Sequence, residues 1–279
     1  MVTTRESYYD VLTAAINYFD EHGYDSAEAL TFWVLRLRQA AEAELVPPHI
    51  LEQNLRDTLG MAYRRLVEDG GVLKQHPGVS RFTLNKVRPE LRAELDRRIL
   101  ASASLIKLNR DSAIEKTLQR FQGWATSIPV GGAAKTDKPD TKANIRKSMT
   151  ALPFEERRVL IDQGHKLGAA VNDIVAKGGG AIAAMWQSHY RQANYNFRKD
   201  HAARDGKIYL IRDSWADQQG LVKPGPDGYT DQIEQPAEFP FCRCFYKYRY
   251  NLRDLPESML TVKGKQMLAD IRTKMQQAS

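Results

Sequence analysis

Apolar side chains recur at helical spacing through most of the first half of the chain. In TTRESYYDVLTAAINYFDEHG, Tyr8, Tyr9, Leu12, Ile16 and Phe19 share one face, the leading threonines can cap it, and Gly23 can stop it. A second helix is predicted from a Ser26 cap, with Leu30, Trp33, Val34 and Leu37 on its inner face and Pro47-Pro48 as its breaker. A third carries Ile50, Leu51, Leu55, Leu59, Tyr63 and Leu66 inward and ends at Gly70-Gly71. VLKQHPGVSRFTL predicts a short hairpin turning at Pro77-Gly78. From Pro89 to about Leu108 a long helix resumes, and Asp111 or Ser112 caps another that runs to about Trp124.

The pattern then lapses. PVGGAAKTDKPDTKANIRKS has no apolar periodicity before Ile145, so residues 131–144 are predicted to be an exposed linker between a helical domain, 1–130, and a second domain, 145–279. The GGAAKT within it is not a phosphate loop, because Ala134 stands where that motif needs glycine before Lys135. The second domain opens with a helix through Phe154 and Leu160. Residues 180–206 predict another, KIYLIRDSW a strand, and residues 216–240 a long loop of four prolines and three glycines. CRCFYKYRYN is a second candidate strand, and a helix from about Pro256 to Gln276 closes the chain. The expected fold is therefore α+β and predominantly helical: an all-α N-terminal region, then a small α+β domain with a few strands and a long loop.

Composition narrows the class only a little. The 279 residues have the apolar and charged balance of a globular protein and a formal net charge of +7. That excess is compatible with a nucleic-acid neighbour without requiring one. No apolar run reaches the ~20 residues that span a bilayer, and MVTTRESYYD has no secretory pattern, so a cytoplasmic protein with no membrane partner is expected.

The chemistry gathers near the C-terminus. Both cysteines, Cys242 and Cys244, lie in PFCRCF. A reducing compartment disfavours a disulfide, and one intervening residue would strain it. Two thiolates on one segment can instead ligate zinc, with His201 as a third ligand and a fourth that is either absent or an acid, Asp205 or Asp200. His189 is excluded if its helix is continuous, since twelve residues place it more than three turns from His201. The plainer reading is two packed, reduced thiols. Beyond the cysteines, Arg243, Lys247, Arg249 and Arg253 interleave with Phe245, Tyr246, Tyr248 and Tyr250, so a strand would show basic groups on one face. Such a face can meet the phosphates of DNA or simply solvent. Arg243, if buried, needs a carboxylate, with Asp205 and Asp200 as candidates.

An active-site inventory does not assemble. No histidine follows His201, there is no paired-carboxylate cluster, and no nucleophile elbow is present, so no enzymatic activity is expected. The competing class is a metal-dependent nuclease or toxin-like enzyme built on His201, Cys242 and Cys244. A helix-turn-helix regulator around Gly23-Tyr24-Asp25 lacks a basic, amide-rich recognition helix.

DHAARDGKIY, a Pro/Gly-rich loop and then PFCRCF resemble the phage Mu F-like family of minor head, or head morphogenesis, proteins of tailed double-stranded DNA phages. The matching positions are His201, Asp205, Gly206, Pro240, Cys242, Arg243 and Cys244, within about residues 150–250. Phe239 departs from the family, which often has histidine there; the family often carries a tryptophan shortly before the histidine, and here the nearest one upstream of His201 is Trp186. The resemblance implies a structural component of the virion head, assembled in the host bacterial cytoplasm near the portal. The partners it implies are the portal protein, the major capsid protein and genomic DNA.

Overall fold

The computed structural model describes residues 6–132 and 137–277. The protein is predominantly helical with one three-stranded antiparallel sheet, as the α+β reading expected. Two compact units interleave along the chain: Met1–Leu55 with Ala101–Leu160, and Arg56–Leu100 with Ile161–Ser279. Among the described residues no helix is long and apolar enough to cross a membrane.

The first unit is all helix. In α1 (Tyr8–His22), the Ser7 hydroxyl accepts the Asp10 N–H while the Asp10 carboxylate accepts the Ser7 N–H, a reciprocal cap. Gly23 ends it at a φ of 72°, where an added Cβ would collide with the Pro129 carbonyl, so only glycine fits. Ser26 caps α2 (Ala27–Glu44) through the Ala29 N–H. The helices α3 (Pro48–Tyr63), α5 (Arg88–Ala125) and α6 (Lys138–Gly178) follow, with the short α4 (Arg81–Lys86) between α3 and α5. The core gathers Leu12, Ile16 and Phe19 of α1, Trp33 and Leu37 of α2, Leu118 and Phe121 of α5, and Ile145 of α6. Phe19 meets Phe121 edge-on at 5.8 Å between centroids. The buried Arg110 donates to Glu156 at 2.6 Å and to the Val46 carbonyl at 2.8 Å, which satisfies a guanidinium that burial alone would destabilise.

Several expected boundaries move. Helix α5 is unbroken from Arg88 to Ala125, and Asp111 pairs with Lys107 one turn back, at 2.8 Å, instead of capping a new helix. Helix α6 begins at Lys138, where the Asp137 carboxylate accepts the Asp140 N–H, so residues 138–144 of the expected linker are helical. Lys138 then pairs with Asp20 at 3.0 Å. Residues 133–136 lie outside the described residues. The compact units thus take chain from both sides of 131–144. Instead of a hairpin at 72–84 there is a 3-10 turn, Gly71–Gln75, then α4 capped by Ser80. The long loop opens on an α-helical turn, α8 (Trp215–Gln218), and holds a 3-10 turn at Thr230–Gln232, and the last helix, α9 (Val262–Gln277), starts six residues later than Pro256.

The largest correction concerns residues 180–206. They are not a helix: β1 (Ala183–Gln187) is the central strand, flanked by β2 (Ile208–Leu210) and β3 (Phe245–Arg249) in the order β2-β1-β3. Gly178-Gly179-Gly180 stops α6, with Gly180 at a φ of 78°. The run AIAAMW is then apolar on both faces, a pattern shared by a buried strand and a buried helix. Pairing decides it: Ala184 lies between Tyr209 and Tyr248, and Trp186 opposite Tyr246. The short helix α7 (Lys199–Ala203) is what remains of the predicted one.

A buried polar chain closes the second unit. His76 Nε2 meets Asn172 Oδ1 at 3.0 Å and Nδ1 meets the Tyr250 hydroxyl at 2.5 Å. The Asn172 amide already donates to the Gly168 carbonyl, so Oδ1 accepts and Nε2 carries a proton, and the Tyr250 hydroxyl can donate to Nδ1 of the neutral ring. Burial lowers the His76 pKa, against the smaller raising effect of the Asn172 bond. The unfolded chain takes up a proton near pH 6.5 while the folded chain resists it, so this stability is complete above that pH and is lost as pH falls below it. The melting temperature should therefore drop between pH 7.5 and 5.5, and by less in His76→Gln. Equal drops in both proteins would assign the acid sensitivity to other groups.

Candidate metal centre

Two segments far apart in sequence, 41 residues from His201 to Cys242, converge. His201 comes from α7, and the cysteines from the turn that leads into β3. That turn is shaped by two residues in left-handed backbone, Ala237 at a φ of 65° and Phe241 at 61°. The Phe241 N–H is held by the Asp162 carboxylate at 2.5 Å, and the Cys242 N–H by the Phe239 carbonyl. The result aims both thiols inward: Cys242 is 0 % exposed, Cys244 3 % and His201 2 %.

His201 Nδ1 lies 3.4 Å from Cys242 Sγ and 3.6 Å from Cys244 Sγ, and the three ligand atoms all fall within 4.8 Å of one another. Zinc bonds of about 2.3 Å to sulfur and 2.0–2.1 Å to nitrogen at tetrahedral angles put sulfur and nitrogen about 3.5–3.6 Å apart. The observed separations match that edge. The donors around the sulfurs point the same way. The backbone N–H groups of Cys244 and Ala237 lower the Cys242 pKa, the His189 N–H and the Ser188 hydroxyl act in the same direction on Cys244 against larger raising effects, and the Cys244 thiol donates to the Ser188 hydroxyl at 3.9 Å. Such donors stabilise thiolate ligands. The Cys242 thiol is pushed down to about 5, chiefly by the hydrogen bond from Cys244, whose own pKa rises in consequence. Charge thus gathers on one sulfur of the pair.

His201 is fixed from both sides. Trp186 meets it edge-on at 5.2 Å and Phe239 tilts over it at 5.9 Å. Its Nε2 is buried without a hydrogen-bond partner, and the nearest Asp200 oxygen is 3.7 Å away. A ring that ligates through Nδ1 carries its proton on Nε2, and Asp200, the nearest carboxylate, stands where a metal-bound imidazole usually finds its outer support without closing that hydrogen bond. The Cys₂His set fits a soft or borderline ion such as zinc. One position of a tetrahedron is then left to a small exogenous ligand.

The predicted residues sort unevenly. His201, Cys242 and Cys244 come together. Asp205 does not join them: its carboxylate accepts the Ser188 N–H at 2.8 Å and lies 3.8 Å from Arg191, so it shapes the turn after β1. His189 is near, but its ring tilts against Phe245 at 5.7 Å and only its backbone reaches Cys244. Arg243 is half-buried with neither predicted acid; it bonds Gln192 at 3.1 Å and covers the Tyr195 ring. Arg243, Lys247, Arg249 and Arg253 all border one groove along β3. Sequence reasoning missed Trp186, Ser188 and Ala237. The left-handed turn at Ala237 left no trace in residue type, because alanine is not a residue that announces it.

No protein-family model, curated protein or solved structure matches the chain.

Proposed function

We propose that this is a minor head protein of a tailed double-stranded DNA phage, a structural component that acts in head assembly near the portal, with one zinc ion clasping its second unit. One observation carries the reading. His201 and the Cys242-Arg243-Cys244 segment, the positions of the resemblance to the Mu F-like family, lie 41 residues apart and yet meet in one buried cluster with ligand-like spacing. Zinc at that cluster would tie α7 to the turn that leads into β3 and fix the intervening loop, the work of a structural ion. The burial of all three ligands suits clasping better than turnover. The portal and major capsid proteins are the partners of this reading, and the virion head is its location.

The test is made on particles. The protein should co-purify with DNA-filled heads, and phage carrying Cys242→Ser should make heads that lack it. Two results would overturn the proposal: a protein absent from purified heads, or a folded Cys242→Ser protein that enters heads normally but loses a nuclease activity present in the wild type.

A further inference from the structure

The second unit carries a groove of about 870 Å³ along the outer edge of the sheet, and its charge is one-sided. Arg243, Lys247, Arg249 and Arg253 line it, against Asp254 as its single carboxylate. Asp254 lies 4.0 Å from Arg253. Among the described residues the other three cations have no carboxylate partner. Arg249 is the sharpest case: its terminal nitrogen meets Met185 Sδ at 3.5 Å, and its Nε is buried with no acceptor. A half-buried guanidinium with no anion beside it keeps part of its desolvation cost, and a ligand anion in the groove, reaching its exposed side, would offset it.

Alternation along the strand sets the shape of the site. Tyr246 is buried, while Phe245, Lys247 and Arg249 share the other face. At about 3.3 Å per residue, Arg243 to Arg249 spans about 20 Å, far longer than one phosphate. Phe245 is 37 % exposed between Arg243 and Lys247 and, with His189 tilted against it at 5.7 Å, offers its remaining surface to a flat apolar group between charges. A row of unpaired cations interrupted by an open aromatic ring fits a polymer that alternates phosphates with bases. An acidic peptide would use the charge and leave the ring idle.

From this we infer that the β3 groove binds the phosphodiester backbone of DNA. The site needs neither the metal nor the virion assignment, so a protein absent from heads would leave it standing.

Fluorescence anisotropy on the full-length protein, as purified, tests it with a labelled 20-nucleotide strand and the matching duplex across a salt series. Lys247→Ala and Arg253→Ala, both at exposed positions, should each weaken binding about 3- to 10-fold and lower the salt slope by about 0.7–0.9. Lys116→Ala, an exposed cation on α5, removes the same charge elsewhere and should leave both quantities unchanged. Tighter binding of the single strand would assign a share of the affinity to stacking on Phe245. Equal binding of strand and duplex would assign it to phosphates alone. The inference fails if neither DNA binds at about 50 mM salt, where a site with several phosphate contacts should be at its strongest. It fails equally if Lys116→Ala costs as much as Lys247→Ala, or if polyglutamate displaces DNA at equal charge concentration.

Discussion

Purified protein should contain close to one equivalent of zinc, and removing it should lower the melting temperature of the second unit by about 10 °C. The expectation rests on the Cys242, Cys244 and His201 cluster, whose ligand atoms already hold the spacing the ion needs. Because the ion binds the folded arrangement and not the open chain, its binding free energy adds to folding stability. A loss of about 3–5 kcal/mol is the usual scale for a lost structural metal or buried cluster, and a domain of this size shifts by about 2–4 °C per kcal/mol. Cys242→Ser, Cys244→Ser and His201→Ala should each lose the metal. Asp205→Asn should keep it, since that carboxylate serves the Ser188 N–H. Elemental analysis beside calorimetry decides the matter. Metal-free protein whose melting curve ignores a chelator would leave two packed thiols and no ion.

Trp186→Ala should cost about 3–5 kcal/mol, the range for removing a buried aromatic from a core. The ring is fully buried in the central strand and touches His201, Tyr246 and the Arg204 guanidinium together. Its loss opens a cavity beside the imidazole, so the variant should also release zinc to a chelator faster than the wild type does. Trp186→Phe keeps most of the volume and should cost less than half as much. Urea unfolding measures both. A cost under about 1 kcal/mol for the alanine variant would mean that the site collapses around the gap and that Trp186 does not hold His201 in place.

Much of this architecture could be read from spacing. The helix α1 was legible because its apolar period and its terminal glycine agree, and each acts within a few residues; the cap is Ser7, while the threonines expected to cap it lie outside the described residues. The strand β3 was legible because aromatic and basic residues alternate. The break expected near Asp111 shows the limit of such signals: a residue that caps a helix serves equally well as an i,i+4 partner within one, and Lys107 decided between them. Residues 183–187 show it more plainly. Two alanines before Met-Trp favour helix locally, and the segment is a strand because β2 and β3 supply partners on both edges.

The same division holds at the metal centre and the groove. Ligand chemistry is a property of residue type, so the sequence alone nominated His201, Cys242 and Cys244, and it nominated the four cations beside them. It also nominated Asp205, whose chemistry suits a metal as well as theirs does. Only the tertiary structure could separate Asp205 from the set, because ligation needs atoms to converge within a few ångströms and that depends on contacts across 41 residues of chain. Only the fold, likewise, left the Arg249 Nε without an acceptor and set Ala237 in left-handed backbone beside the cysteines. Local periodicity is written in neighbouring residues; convergence and the balance of buried charge are set by whatever the folded chain brings alongside.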